Sequence, residues 1–335
     1  MVMQPKEQKK RRTKKSLDLP RLITTSVVRG SVQGESHGGV YLVDFAKQEV
    51  DQKVDWNSAD IDFTGRGWDR GLRGITIVGD DIYIAASDEL FVYDRNFRIK
   101  RSFRSSYLKH CHEIHRLDRH IYLTSTAYDS ILAFDIDKQT FVWAIHLALG
   151  DGEPVGTVFD PNSVHGPGGA KGPPASSHLH LNNIYTDQRG LFVSGMRTEG
   201  ILHVAAGGKV AKIIDLPSGI HNARPYGEGV IFNDTAADCL RYARRDGTQQ
   251  VFAVPRYEVG ELTHTELGDD KVARQGFGRG LCIIGQESGQ DLVAAGSSPS
   301  TISIYDIASG STIARVNFSM DIRNAIHGLE VWPFD

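Results

Sequence analysis

The chain has 335 residues, 40 % of them hydrophobic, enough for one large core without a second domain. Its formal net charge of -3 gives no reason to expect a nucleic-acid partner, and none of the usual nucleic-acid motifs is present. Three scattered cysteines (Cys111, Cys239 and Cys282) do not make a disulfide framework, and no apolar run reaches membrane-spanning length, so the expectation is a cytoplasmic protein with no membrane span.

Residues 1–20 read as a basic, disordered tail that lacks the apolar centre of a signal peptide. Residues 21–54 then supply three strands. Five hairpin patterns follow at 80–94, 118–135, 188–204, 227–243 and 289–306, each an apolar run, a polar turn and an alternating strand. Another short strand precedes each pair, and after most of them a fourth follows, such as Gln139–Leu147 or Ser311–Phe318. Four antiparallel strands in repetition predict propeller blades, five of them complete between Gly71 and Phe318. A lone strand at 325–333 remains. Placed innermost beside strand 22–29, it completes a sixth blade, and no sheet edge is left open. The predicted fold is all-β: a single six-bladed β-propeller over 21–335, closed by its two terminal strand groups.

Two segments interrupt the rhythm. Residues 147–177, rich in Gly and Pro, and residues 255–276 both run from the end of one blade to the start of the next. Long aperiodic connections of this kind read as lids over the mouth of the central channel. Asn233 and Asn317 match a glycosylation sequon, which carries no weight without a secretory signal.

The six inner strands align on their apolar pattern, and the second position of that alignment holds Arg73, His112, Asn182, His221, Arg279 and His327. The histidines fall on alternate blades, so they approach the axis about 120° apart in a six-fold ring. Three neutral imidazoles bind one face of a divalent transition metal and leave other positions open, the plan of a catalytic site. Zinc, iron, copper or nickel fits that ligand set. Arg73 and Arg279 beside an ion imply an anionic group on the substrate, with Asn182 and Arg224 as further donors. The expected partner is therefore a small anionic molecule or a peptide terminus. His110 and His180 stand two residues from His112 and Asn182, on the same side of each strand, and are candidates for orienting ligands or transferring protons. A two-residue shift would let His180 replace Asn182 and give four histidines. His112-Glu113-Ile114-His115 is not the helical zinc-protease motif, because it lies on a strand and its histidines are three apart. Cys111 faces away and reads as core.

Several of these segments resemble an uncharacterised family of mostly bacterial β-propellers. The likeness rests on His112-Glu113-Ile114, His180-Leu181-Asn182-Asn183, Ile220-His221-Asn222-Ala223-Arg224 and Gly278-Arg279-Gly280-Leu281. It runs in order over blades three to six and departs from the family around His221, where a proline and a serine are missing. The resemblance implies the fold and no activity. In its plan, the site is also similar to that of the peptidyl-hydroxyglycine amidating lyases, six-bladed propellers with a three-histidine zinc. That likeness implies His112, His221 and His327 as ligands and Arg73 and Arg279 as the arginines beside them. Carotenoid oxygenases, with four histidines in a seven-bladed ring, are a poorer match in blade number. The resulting expectation is a metal-dependent lyase, hydrolase or oxygenase. The alternative is a non-catalytic propeller that binds a ligand or a partner protein, since fold does not establish function.

Overall fold

The computed structural model describes residues 19–32, 34–57, 71–163, 172–266, 274–285 and 291–335. Most of the predicted basic tail, residues 1–18, lies outside them. The described strands form six antiparallel sheets. The first blade takes β1 (Leu22–Val28), β2 (Gly38–Asp44) and β3 (Glu49–Asp55). The second is β4 (Leu72–Val78), β5 (Asp81–Ala86), β6 (Glu89–Tyr93) and β7 (Ile99–Arg104). The third holds β8 (Ile114–Leu117), β9 (His120–Ser125), β10 (Ser130–Asp135), β11 (Thr140–Gly150) and β12 (Glu153–Phe159). The fourth runs through β13 (Leu181–Asp187), β14 (Gly190–Gly195), β15 (Gly200–Val204) and β16 (Val210–Asp215). The fifth is β17 (Ile220–Tyr226), β18 (Gly229–Asp234), β19 (Cys239–Arg244) and β20 (Gln249–Ala253). The sixth is β21 (Arg279–Ile284), β22 (Leu292–Ser297), β23 (Thr301–Asp306) and β24 (Ser311–Asn317), after which β25 (Asn324–Val331) returns to the first.

The predicted closure is present. β25 pairs antiparallel with β1 from Leu22↔Val331 to Val28↔Asn324, giving the order β25-β1-β2-β3. Burial follows position in the blade. Every residue of β1 is buried, whereas β3, the outermost strand of the same sheet, exposes five of its seven residues at least in alternation with half-buried ones. Apolar side chains of neighbouring sheets interlock between blades, as with Tyr83, Leu90 and Val92 against Ile121, Leu123 and Phe134. Such face-to-face packing needs apolar residues on both faces of the middle strands, which explains their continuous hydrophobic runs.

The first insertion differs from the lid expectation. Leu147–Gly150 continues β11, and β12 pairs with it as a fifth strand on the outer edge of the third blade. Glu153–Phe159 pairs along Ala144–Gly150 and extends the sheet, and Leu149, Val155 and Val158 remain exposed there. Residues 164–171, the centre of the predicted lid, lie outside the described residues. The end of the segment turns back to the ring: Ser176 pairs with Tyr128, and the amide of Leu179 donates to Asp129. In the second insertion, Val259–Glu261 forms a short 3-10 turn, and Thr263 bridges to Asp321. Its return, from Arg274, is tied to Thr235 and Ser298.

Candidate functional site

All five inner strands that reach the aligned position are irregular there. Pairing registers shift between Leu72 and Ile75, Leu181 and Asn183, His221 and Arg224, and Arg279 and Leu281, while β25 shifts opposite Thr24 and Ser26. β8 begins two residues beyond His112. A bulge bends a strand and re-aims the side chain that it carries. At four of these irregularities the turned side chain is Asn182, His221, Arg279 or His327, and all four line one cavity.

The structure brings His112, Asn182, His221, Arg279 and His327 together around a cavity, along with Asn222 and Gly280. Room for a water-sized centre in it is about 10 Å³. That is close to the space of one water molecule. Arg73 is buried nearby, and its charge depresses the pKa of all three histidines. His180 adjoins His112 with ring centroids 5.6 Å apart, and His110 lies close enough to His180 to act on its titration. Arg224 is elsewhere. It lines a separate chamber with Glu113 and Glu330, so the structure does not bring it to the histidines.

Each histidine of the ring is held in one tautomer. His112 Nδ1 lies 2.8 Å from the carbonyl of His110, and His327 Nδ1 lies 3.1 Å from that of Ala325. A carbonyl only accepts, so both Nδ1 atoms carry the proton. His221 Nδ1 lies 3.0 Å from Thr235 Oγ1, which gives its own proton to the carbonyl of Gly278. That hydroxyl therefore accepts from His221. Thr126, bonded to Leu181 O, repeats the arrangement beside His112. All three Nε2 atoms are left with a lone pair. His221 Nε2 is buried without a partner, as is Asn182 Oδ1. His327 Nε2 accepts from Arg279 Nη1 at 2.9 Å, and the same guanidinium lies 4.5 Å over the Phe277 ring.

The electrostatics agree with neutral imidazoles. Burial, followed by the charges of Arg73 or Arg279, holds His112, His221 and His327 well below the usual histidine value. Burial also brings His180 down to about 4, with Arg197 adding to it. As the side chains stand, no group of three or more His, Cys, Asp or Glu among the described residues could hold a metal ion.

Sequence reasoning missed Thr126, Thr235, Asn222 and Phe277. Asn222 follows His221 with a positive φ of 54°. Its Oδ1 accepts from the Gly280 amide and its Nδ2 donates to Glu113 Oε2, so it joins three inner strands below the histidines. Cys111 is buried in the core, as expected from alternation, and burial pushes its thiol up to about 12.

No family model and no curated protein matches the sequence. Among solved structures, a protein of unknown function from Bacteroides caccae superposes with a TM-score of 0.53 at 11 % identity, covering 93 % of this chain and 98 % of that one. A putative 6-phosphogluconolactonase from Bacteroides fragilis gives 0.51 at 10 % identity, over 95 % and 99 % of the two chains. Catalytically inactive virginiamycin B lyase from Staphylococcus aureus, solved with quinupristin, gives 0.44 at 11 % identity over 77 % and 72 %. The first two likenesses concern the fold alone: the chain is a six-bladed β-propeller.

Proposed function

We propose that this chain is a metal-dependent enzyme in which His112, His221 and His327 hold a divalent transition ion and Arg73 and Arg279 bind an anionic group of a small substrate or peptide terminus. The observation that carries this reading is the tautomer lock. Three imidazoles, two buried and that of His112 half-buried, have their Nδ1 protons fixed by carbonyls and a threonine hydroxyl, so that each Nε2 keeps its lone pair, that of His327 engaged by Arg279. Imidazoles that ligate metals are oriented by the partner of the other ring nitrogen. The orphaned Nε2 of His221 and the cavity of about 10 Å³ suit a single ion. Zinc, iron or copper would supply Lewis acidity or, for the redox metals, oxygen chemistry.

The remaining roles belong to the chain itself. Arg279 donates to His327 Nε2 and would give up that bond when an ion is present, so that its Nη1 could turn to a substrate anion. Phe277 supports the guanidinium by stacking. Asn182 offers an amide oxygen, and His180 with His110 provides imidazoles beside the ring for proton transfer. Lyase or hydrolase chemistry and oxygenase chemistry both fit this set.

A second reading has one observation in its favour. Arg279 already satisfies His327, so the same pocket can serve as a non-catalytic anion site without metal. Elemental analysis of protein grown with added zinc, iron and copper separates the two. Metal near one equivalent, lost in His221→Ala, is the expected result. Absence of metal, together with no rise in melting temperature when any of the three ions is added, sinks the metal reading and leaves the anion site.

A further inference from the structure

Beyond Asn222, which lines both spaces, the channel holds a second chamber of about 280 Å³. All six blades contribute to its wall, among them Glu113, His115, Arg224 and Glu330. It is a built polar site with uncommitted groups. Arg224 Nη2 donates to Leu281 O at 2.7 Å, but its Nε is buried without an acceptor. His115 Nδ1 accepts from the Thr186 amide, so its proton is on Nε2 and makes a second donor. On the acceptor side, both oxygens of Glu113 are engaged, Oε1 by the Ile114 amide and Oε2 by Asn222. Glu330 Oε1 accepts from the Val331 amide, and Oε2 has no hydrogen bond among the described residues.

The charge of Arg224 acts on His115, Glu113 and Glu330 alike, so the four groups share one electrostatic environment. A half-buried guanidinium whose buried Nε has no acceptor favours a carboxylate, which it binds in a forked geometry. A carboxylate oxygen without a donor favours a hydroxyl or ammonium. The wall therefore presents complementary groups to the two ends of one small molecule.

We propose that this chamber binds a small carboxylate bearing an adjacent hydroxyl or ammonium group, with the carboxylate on Arg224 and His115 and the adjacent donor on Glu330. The site is independent of the histidine ring and of whether a metal binds there. Titration calorimetry of the full chain with L-lactate, L-alanine and propionate tests it and distinguishes the two donors. At least one of lactate and alanine should bind about tenfold more tightly than propionate, as loss of a hydrogen bond to a charged group implies. Arg224→Met should weaken that binding by about tenfold or more. Glu330→Gln should weaken alanine and spare lactate if the ammonium is the natural donor; for a hydroxyl, it should narrow the margin of lactate over propionate. His221→Ala should leave all of these values unchanged while metal content falls, so the two sites fail separately. Absence of binding by all three probes overturns the proposal. So does binding that persists in a folded Arg224→Met protein. Should that variant fail to fold, an unaltered preference over propionate in Glu330→Gln overturns it equally.

Discussion

Thr126 and Thr235 perform the same task on two blades: each hydroxyl gives its proton to a carbonyl of the next blade and thereby becomes an acceptor for imidazole Nδ1. Thr235→Val keeps the shape and removes the acceptor, so His221 is free to change tautomer. If the proposed ion binds, its affinity should fall by about 10- to 100-fold, as for other groups that orient ligands. Competition with a chromophoric chelator measures this, and an unchanged affinity would count against the lock. These threonines were not legible in the sequence, because Thr is common in strands and its role depends on a neighbouring blade. The histidines were legible because an imidazole at one aligned position is rare on a strand. Arg224 misled for a related reason. Three residues separate it from His221, but the bulge at Asn222 and Ala223 lies between them, and the chain delivers the two side chains to different spaces.

At the level of elements, the bulges allow inner strands to crowd the axis, and glycines make that approach possible. A Cβ on Gly74 would meet the backbone nitrogen of Ile114 at 2.4 Å, and one on Gly328 would meet Arg73 O at 2.3 Å. Gly74→Ala should therefore cost about 1–3 kcal/mol, the usual range for overpacking. A shifted urea midpoint with an unchanged slope is the expected readout; a variant as stable as the parent would show that the strands can part. Closure makes a larger prediction. Removing residues after Asn324 strips β1 of its inner partner and exposes a ladder of unpaired amides and carbonyls. The shortened chain should aggregate or melt far below the parent, and a soluble, equally stable product would contradict the pairing. The six-blade count was legible because hairpins repeat with period-two alternation. The outer strand β12 was not, since its seven residues, Glu-Pro-Val-Gly-Thr-Val-Phe, carry a Pro and a Gly and no regular apolar alternation.

For the whole molecule, burying titratable groups on the axis makes stability depend on pH. His115 titrates at 6.5 in an unfolded chain, and burial followed by the Arg224 charge brings it down to about 4 in the fold. Its contribution is thus complete above 6.5 and is lost as pH falls from there to about 4. Burial raises Glu330, so its contribution runs the other way: complete below 4.5 and lost as pH rises through its folded value. Melting temperature should drop steeply from pH 6.5 to 4, and His115→Gln, which keeps an acceptor for Thr186, should flatten part of that limb. A flat profile in the parent would mean that these imidazoles are hydrated. The joining of β25 to β1 has one more consequence. His327 is carried on β25, which is made after every other described strand, so the ring of three imidazoles is incomplete at every earlier stage of synthesis. Until then the chain can offer an ion only two of them. On the proposed metal reading, occupancy of the site would thus report that a molecule has finished folding, and an ion would be acquired by closed rings in preference to unfinished ones.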